Sequence, residues 1–267
     1  MSGGLAGAFL RRDWLYETTY RGMLIFQMLG ILGSLIIFYS ISKIISGNAP
    51  ELAEYGGDYF AFALIGLSVS DYFSVGLRSF ANRLRLAQTT GTLEAMLVTQ
   101  TPPQATLLYS GLWDFLLATV RLVIALLVGT LALGVTFKVD AAATLLLAVL
   151  SLLVFAGLGL VTAGIILVIK RGDALVGLIG VAATIFAGTV FPVELLPSWI
   201  RPLAYVFPLF YALDGLRKAT LTGAGVGDLA ENVAVLGVTA LVLVPAAYLT
   251  IAWAVERTRR DGSLGHH

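Results

Sequence analysis

The chain has 267 residues, of which 58% are hydrophobic and 12% are charged, and its mean hydropathy is +0.90. Soluble globular proteins carry about 25% charged residues, so this composition excludes a soluble enzyme and predicts one transmembrane domain over residues 1–267. A net charge of +1 on scattered basic residues argues against nucleic acid as a partner, and the absence of cysteine excludes disulfides and thiolate metal sites.

The chain begins with a charged, aromatic stretch at residues 8–21. Charged residues alternate there with Phe9, Trp14 and Leu15. This pattern is typical of a helix lying in the membrane interface, although an irregular start to the first span would give the same pattern. Because charges interrupt it before any long apolar run, the stretch is not a secretory signal, and we expect nothing to be removed.

Six apolar segments follow, which predicts an all-α integral membrane fold with six transmembrane helices. We place the spans at about residues 22–45, 60–80, 107–137, 141–169, 174–191 and 233–255. With the N-terminus inside, eleven Lys and Arg residues fall on the inner side and five on the outer side. The positive-inside rule therefore predicts that both termini are cytoplasmic.

The second and third spans each contain an acid and an arginine seven residues apart, hence on one helical face. In an antiparallel hairpin, the residue numbers of two residues at equal depth add up to a nearly constant value. That sum is 192 for Asp71 with Arg121 and also for Arg78 with Asp114. We therefore expect these two pairs to form intramembrane ion pairs, because unpaired charges there are costly. The alternative is an ion-coupled secondary transporter that relays protons or cations through Asp71 and Asp114.

The loop at residues 88–103, between the second and third spans, is predicted to contain a short amphipathic helix. Thr89, Thr90 and Thr92 supply capping hydroxyls, and prolines 102 and 103 stop the helix. Its apolar stripe beside Glu94 consists of Leu93, Met96 and Leu97. Such a helix can press into a groove on a partner protein, or it can pack against its own span.

The segment at residues 192–222 combines apolar and amphipathic sequence with four prolines. Helices cannot simply stop within hydrocarbon, so the prolines predict broken, re-entrant helices held by protein at the outer face. The aromatic residues there fit either a pathway lining or the usual aromatic belt at a membrane interface, and they are Tyr205, Phe207, Phe210 and Tyr211.

The chain contains no G-x-x-x-x-G-K-[ST] loop, so it is not predicted to bind nucleotide phosphates in the P-loop manner. We predict no catalytic residue, metal site or cofactor on this chain. A lone S-x-x-K at Ser40 and Lys43 is a weak indication of a hydrolase, since Lys43 lies where a side chain would extend to the interface.

Two segments resemble the bacterial type-2 ABC exporter permeases. The stretch GTLEAMLVTQTP at residues 91–102 is similar to their cytoplasmic coupling segment, G-T-L-E-x-L-x-x-T-P, with one extra residue at Gln100. The stretch from Phe191 to Gly223 is similar to their distal segment, with F-P, L-P-x-W and D-x-L-R. The two motifs occur in the family's order, and with the spans the resemblance covers almost the whole chain.

The resemblance implies the transmembrane subunit of an ATP-driven exporter in the bacterial inner membrane. Its partners would be membrane lipid, a second permease copy and two copies of a separate ABC ATPase, which would hold the ATP and Mg. The residues implied to contact the ATPase are Gly91, Thr92, Leu93, Glu94, Met96 and Leu97. The residues implied to build the outer gate and re-entrant helices are Phe191, Pro192, Glu194, Leu196, Pro197, Trp199, Pro208, Asp214, Leu216 and Arg217.

The cargo and the dimer seam are less directly indicated. An apolar, aromatic pathway would suit an amphipathic drug, a lipid or a lipid-linked glycan. Gly180, Thr184 and Gly188 form a row of small residues on the fifth span, which allows close helix approach. That row, with the first span, is predicted to form a homodimer seam, and packing within one subunit is the alternative.

Overall fold

The computed structural model describes residues 2–19, 21–45, 50–91, 103–169 and 173–260, and within these ranges the chain is helical, without strands. The prediction of an all-α membrane fold is confirmed. The α-helices are α1 (Ser2–Thr19), α2 (Arg21–Ile45), α3 (Tyr59–Thr89), α4 (Pro103–Leu131), α5 (Ala141–Ile169), α6 (Asp173–Phe186), α7 (Arg201–Ala204), α8 (Pro208–Arg217) and α9 (Ala230–Arg260). Short 3₁₀ turns lie at Pro50–Tyr55 and Val193–Leu195, and a π-helical turn lies at Lys218–Thr222.

Five of these helices, α2, α3, α4, α5 and α9, are long and apolar enough to cross a membrane. Helix α6, which falls in the predicted fifth span, has 14 residues and a length of about 21 Å, short of the roughly 30 Å of hydrocarbon. The chain reverses soon after it, because Gly188 has a φ of +69°. The count of six spans therefore stays a prediction.

Two helix ends differ from the predicted spans by more than five residues. Helix α3 runs to Thr89 rather than to residue 80, since Leu84 and Ala87 continue the buried core against α4 and α9. Helix α4 ends at Leu131 rather than at residue 137, and the chain turns at Gly134, where φ is +76°. The first difference reflects tertiary packing and the second a glycine turn, and hydropathy predicts neither feature.

Helix α3 is the centre of the bundle. In the most apolar stretch of α3, 72% of the residues are buried, whereas in the most apolar stretch of α2 only 6% are buried. Its backbone contacts α5 directly, because a Cβ atom built on Gly159 would lie closer than 3.0 Å to the carbonyl oxygen of Gly76. We call the two ends of the bundle after α3: the Gly91 end, where α3 leads toward α4, and the Tyr55 end, where α3 begins.

Helix α1 lies against α4 near the Gly91 end. The rings of Trp14 and Trp113 are 5.8 Å apart in an edge-to-face arrangement, and those of Phe9 and Tyr109 are 6.1 Å apart. The predicted interfacial stretch at residues 8–21 falls mainly within this helix, which is separate from α2.

Candidate functional site

A line of polar side chains follows α3 on the side that faces α2 and α4. Two cavities of about 460 and 510 Å³ lie there and share Gln27 and Arg121 in their walls. Their lining runs along α3 from Leu67 to Leu86, a rise of about 29 Å, which is close to the thickness of membrane hydrocarbon. We call this the polar groove, and its polar lining consists of Glu17, Gln27, Ser34, Ser68, Asp71, Ser74, Arg78, Ser79, Asn82, Arg83, Asp114 and Arg121.

The structure brings Asp71 and Arg121 together in the middle of this groove. Arg121 Nε donates a hydrogen bond to Asp71 Oδ2 at 2.8 Å, and Arg121 Nη1 donates to Gln27 Oε1 at 3.3 Å. The Asp71 side chain is 40% exposed, so the paired carboxylate still faces the groove. The sum of residue numbers therefore correctly predicted that Asp71 and Arg121 meet across the hairpin.

The expected pairing of Arg78 with Asp114 is wrong, because Asp114 pairs with Arg83. Arg83 Nε donates to Asp114 Oδ2 at 3.2 Å, Arg83 Nη2 donates to Oδ1, and the Ser79 hydroxyl donates to the same carboxylate. Arg83 Nη1 also lies 3.7 Å from Asp13 of α1. Side chains on a helix lean toward its N-terminus, so the long arginine reaches about one turn back to the level of Ser79. The sum of residue numbers compares only the depths of the two backbones, so it does not account for this direction of the side chain.

Arg78 also lines the polar groove, on the side of α3 that approaches α6. Its Nη2 lies 3.7 Å from the position that a Cβ atom on Gly180 of α6 would occupy. The side chain is exposed to the groove, and it has no ion-pair partner in the described part of the chain.

A second polar cluster lies at the Tyr55 end, around the end of α8. Arg217 is 3% exposed, and its guanidinium donates to the carbonyl oxygens of Phe62 at 3.2 Å, Gly188 at 3.0 Å and Thr189 at 2.6 Å. Its Cζ also lies 3.5 Å from the centroid of the Phe62 ring, a cation–π arrangement. One side chain therefore ties α8 to α3 and to the turn that follows α6.

Asp214, one turn before Arg217, collects three donors. The Tyr55 hydroxyl donates at 2.8 Å, Asn232 Nδ2 at 3.0 Å, and Lys218 Nζ lies at 3.0 Å. Burial, together with the charge of Asp214, raises the pKa of Tyr55 far above its ordinary value, so the hydroxyl keeps the proton that it donates. We call Tyr55, Asp214, Arg217, Lys218 and Asn232 the Asp214 cluster.

Electrostatics in the Asp214 cluster favour a charged lysine. Burial lowers the pKa of Lys218, but the carboxylates of Asp214 and Glu54 outweigh burial and raise the pKa overall. Sequence reasoning singled out Asp214 and Arg217 and missed the other three members. The only signal for those was that a buried carboxylate needs donors, which does not say where they come from.

The other residues predicted for the outer gate do not share one environment. Pro192 is buried, Phe191, Leu196 and Pro208 are partly buried, and Glu194, Pro197 and Trp199 are exposed. Leu216 is buried and faces an apolar cavity rather than the Asp214 cluster. Of the predicted set, Asp214 and Arg217 share a neighbour, since the Tyr55 hydroxyl donates to Asp214 and the Arg217 Cζ lies 5.9 Å from the centroid of the Tyr55 ring.

The predicted coupling segment begins where α3 ends. Gly91 is an exposed turn residue with a φ of +68°, the left-handed conformation that commonly terminates a helix. Thr92, Leu93, Glu94, Met96 and Leu97 lie outside the described residues.

Comparison with protein families decides the class. The sequence profile of a family described as "ABC-2 family transporter protein" matches residues 40–249, more than three quarters of the chain. The chain belongs to the ABC-2 transporter family. It is therefore a multi-pass transmembrane subunit of an ABC transporter, not itself catalytic, and the family works with an ABC ATPase subunit. A comparison with curated proteins gave no match.

The matched region of this ABC-2 permease contains the whole Asp214 cluster and most of the polar groove, but not Gln27, Ser34 or α1. Across the described ranges, no group of three or more histidines or carboxylates is arranged to hold a metal ion. The arrangement of paired charges, hydroxyls and amides is suited to binding and passing a polar group.

Proposed function

We propose that this permease exports an amphipathic molecule, such as a drug, a lipid or a lipid-linked glycan, along the polar groove. The observation that carries the proposal is the row of polar side chains that lines the groove on α3 from Ser68 to Arg83, a rise of about 23 Å. Charged and hydroxyl side chains inside a membrane are costly, and where they occur they commonly mark a transport pathway. A polar head group would move within the groove while its apolar part stays in lipid.

Arg78 favours a head group that carries negative charge. Near the Gly91 end it offers a guanidinium without an acidic partner among the described residues, whereas Arg83 and Arg121 are paired with Asp114 and Asp71. We propose that a phosphate or carboxylate of the cargo would reach Arg78 first and then exchange contacts with the Asp71–Arg121 pair.

Helix α3 is suited to carry movement from an ATPase to the Asp214 cluster. It runs without a break from Tyr59 to Thr89, reaches Gly91 at one end, and near the other supplies the Phe62 carbonyl that Arg217 binds. We propose that the loop at residues 92–102 contacts the ATPase, with Gly91 and Glu94 at the contact. Closure of two ATPase subunits on ATP and Mg would then shift α3 and loosen the ties of α8.

The full transporter would consist of two permease copies and two ATPase subunits in a bacterial inner membrane, with both permease termini cytoplasmic. The exposed face of α2 supports this arrangement, since only 6% of its apolar window is buried within one chain. A second copy covering α2 would close the polar groove on its open side.

The test is copurification with the ATPase subunit and reconstitution in lipid vesicles, followed by ATP-dependent export of a fluorescent anionic lipid. Replacing Glu94→Ala should lower transport per ATP hydrolysed by about tenfold, which corresponds to about 1.4 kcal/mol of coupling free energy. Gln100→Ala, in the same loop, is the matched control and should leave coupling unchanged. Normal transport by Glu94→Ala would contradict the role given to that residue.

The competing function is ion-coupled secondary transport through Asp71 and Asp114. Vesicles that contain only this polypeptide would then move solute down an ion gradient without any nucleotide. That result would overturn the proposed function as a whole.

A further inference from the structure

A third cavity, separate from the polar groove, lies between α3, α4, α5 and the end of α8. Its volume is about 290 Å³, at the lower end of the range for small-molecule sites. The lining is almost entirely apolar and includes Val69, Leu126, Ala148, Leu152, Phe155 and Leu216. We call it the apolar cleft.

The cleft opens toward the bilayer and is elongated along α5. Val149 and Leu152, which line it, are 46% and 41% exposed. The lining on α5 extends from Thr144 to Phe155, a rise of about 16 Å, and lies wholly within the apolar span Ala141–Val168. A dry, narrow opening at this depth matches the shape and chemistry of a hydrocarbon chain.

The Tyr55 end of the cleft is polar. The Thr144 hydroxyl in its wall is buried and has no hydrogen-bond partner among the described residues. The backbone N–H of Lys138 donates to the Thr220 carbonyl at 3.0 Å, and Thr220 lines the cleft, so Lys138 lies near the Tyr55 end of the cleft. The Lys138 side chain is exposed and forms no ion pair within the described ranges.

We propose that the apolar cleft binds one acyl chain of a phospholipid, whose phosphate group lies against Lys138 and whose ester carbonyl reaches Thr144. A positive charge near the Tyr55 end and an apolar interior along one span are the two features that a phospholipid matches together. Ser68 and Leu122 line both the cleft and the polar groove, and so form the wall between this lipid and the transport pathway.

A lipid in this cleft would support the Asp214 cluster. Leu216 and Thr220, which line the cleft, flank Arg217 along the chain, and Arg217 ties α8 to α3. The bound chain would act as a replaceable part of the packing under α8. The site would be occupied whether or not cargo is being moved, so the proposal is independent of the proposed transport function.

The experiment is native mass spectrometry of the purified permease alone, titrated with palmitoyl-oleoyl phosphatidylglycerol. Leu152→Trp fills the cleft, and its control is Leu153→Trp, the adjacent residue, which is 43% exposed and does not line the cleft. Wild type and control should retain one phospholipid per chain, and Leu152→Trp should retain it about tenfold less tightly.

Two further variants complete the test. Ala148→Phe fills the same cleft from another position and should reproduce the loss, which guards against a folding defect in one variant. Lys138→Gln should weaken binding of the anionic lipid several-fold while leaving the tail site open. Equal lipid retention by Leu152→Trp, Ala148→Phe and the Leu153→Trp control would overturn the proposal, as would retention of detergent in place of phospholipid.

Discussion

Substitution of Gly66 by alanine tests how closely α3 approaches the Asp214 cluster. A Cβ atom at position 66 would lie closer than 3.0 Å to both the Thr189 carbonyl oxygen and Arg217 Nη2, so the methyl group separates a pair that is hydrogen-bonded at 2.6 Å. Loss of a hydrogen bond to a charged group costs about 1.5–3 kcal/mol, and overpacking costs about 1–3 kcal/mol. Alanine in a helix is more favourable than glycine by about 0.5–1 kcal/mol, because glycine loses more backbone entropy on folding. We expect a net loss of about 2–5 kcal/mol in the free energy of unfolding.

The assay is thermal unfolding in detergent, followed by circular dichroism. A loss of this size should lower the melting temperature by about 10 °C in a chain of this length. The matched control is Gly237→Ala on α9, where a Cβ atom would meet nothing within 4 Å, and it should be neutral or slightly stabilising. If the two variants melted at the same temperature, Gly66 would not be in close contact with Thr189, and the account of the Arg217 network would be refuted.

Two predictions concern the ion pairs of the polar groove. Asp71→Asn should lower the free energy of unfolding by about 1–2 kcal/mol, a value reduced because the Asp71 side chain is 40% exposed. Adding Arg121→Gln should restore part of this loss. If the losses of the two single variants were additive in this double-mutant cycle, the pair would not be coupled. Arg83→Gln should cost about 2–4 kcal/mol because it leaves a partly buried carboxylate unpaired, whereas Arg78→Gln should change unfolding by less than about 0.5 kcal/mol. The reverse order for Arg83 and Arg78 in the same unfolding assay would contradict the assigned pairing.

Hydropathy and charge spacing located the long spans and one of the two ion pairs. These features depend on local composition and on the fixed rise of a helix, which a single sequence specifies. The partner of Asp114 was not accessible in this way, since Arg83 is preferred over Arg78 through side-chain direction and the position of Asp13 on α1. Such choices depend on where a third helix lies.

The Asp214 cluster shows the same division at the Tyr55 end. The D-x-L-R motif identified Asp214 and Arg217 by resemblance to the family, but it did not indicate which groups either side chain would contact. Tyr55, Lys218 and Asn232 come from a loop, the π-helical turn and α9, and only the folded chain brings them to one carboxylate. The short length of α6 was also missed, because the apolar sequence continues past Phe186 while the backbone reverses at Gly188.

The distribution of contacts on α3 restricts how it can move. On one side Gly66 and Gly76 bring its backbone against Thr189 and α5, and on roughly the opposite side Asp71 faces the polar groove. Rotation of α3 about its axis would replace glycine by larger side chains at both close contacts, which a packed interior resists. Displacement of α3 together with α5 keeps the contact at Gly76, whereas the contact at Gly66 is kept only if Thr189 and Arg217 move with them. A movement of α3 that starts at the Gly91 end would therefore carry α5 with it, because the two backbones touch at Gly76 and Gly159.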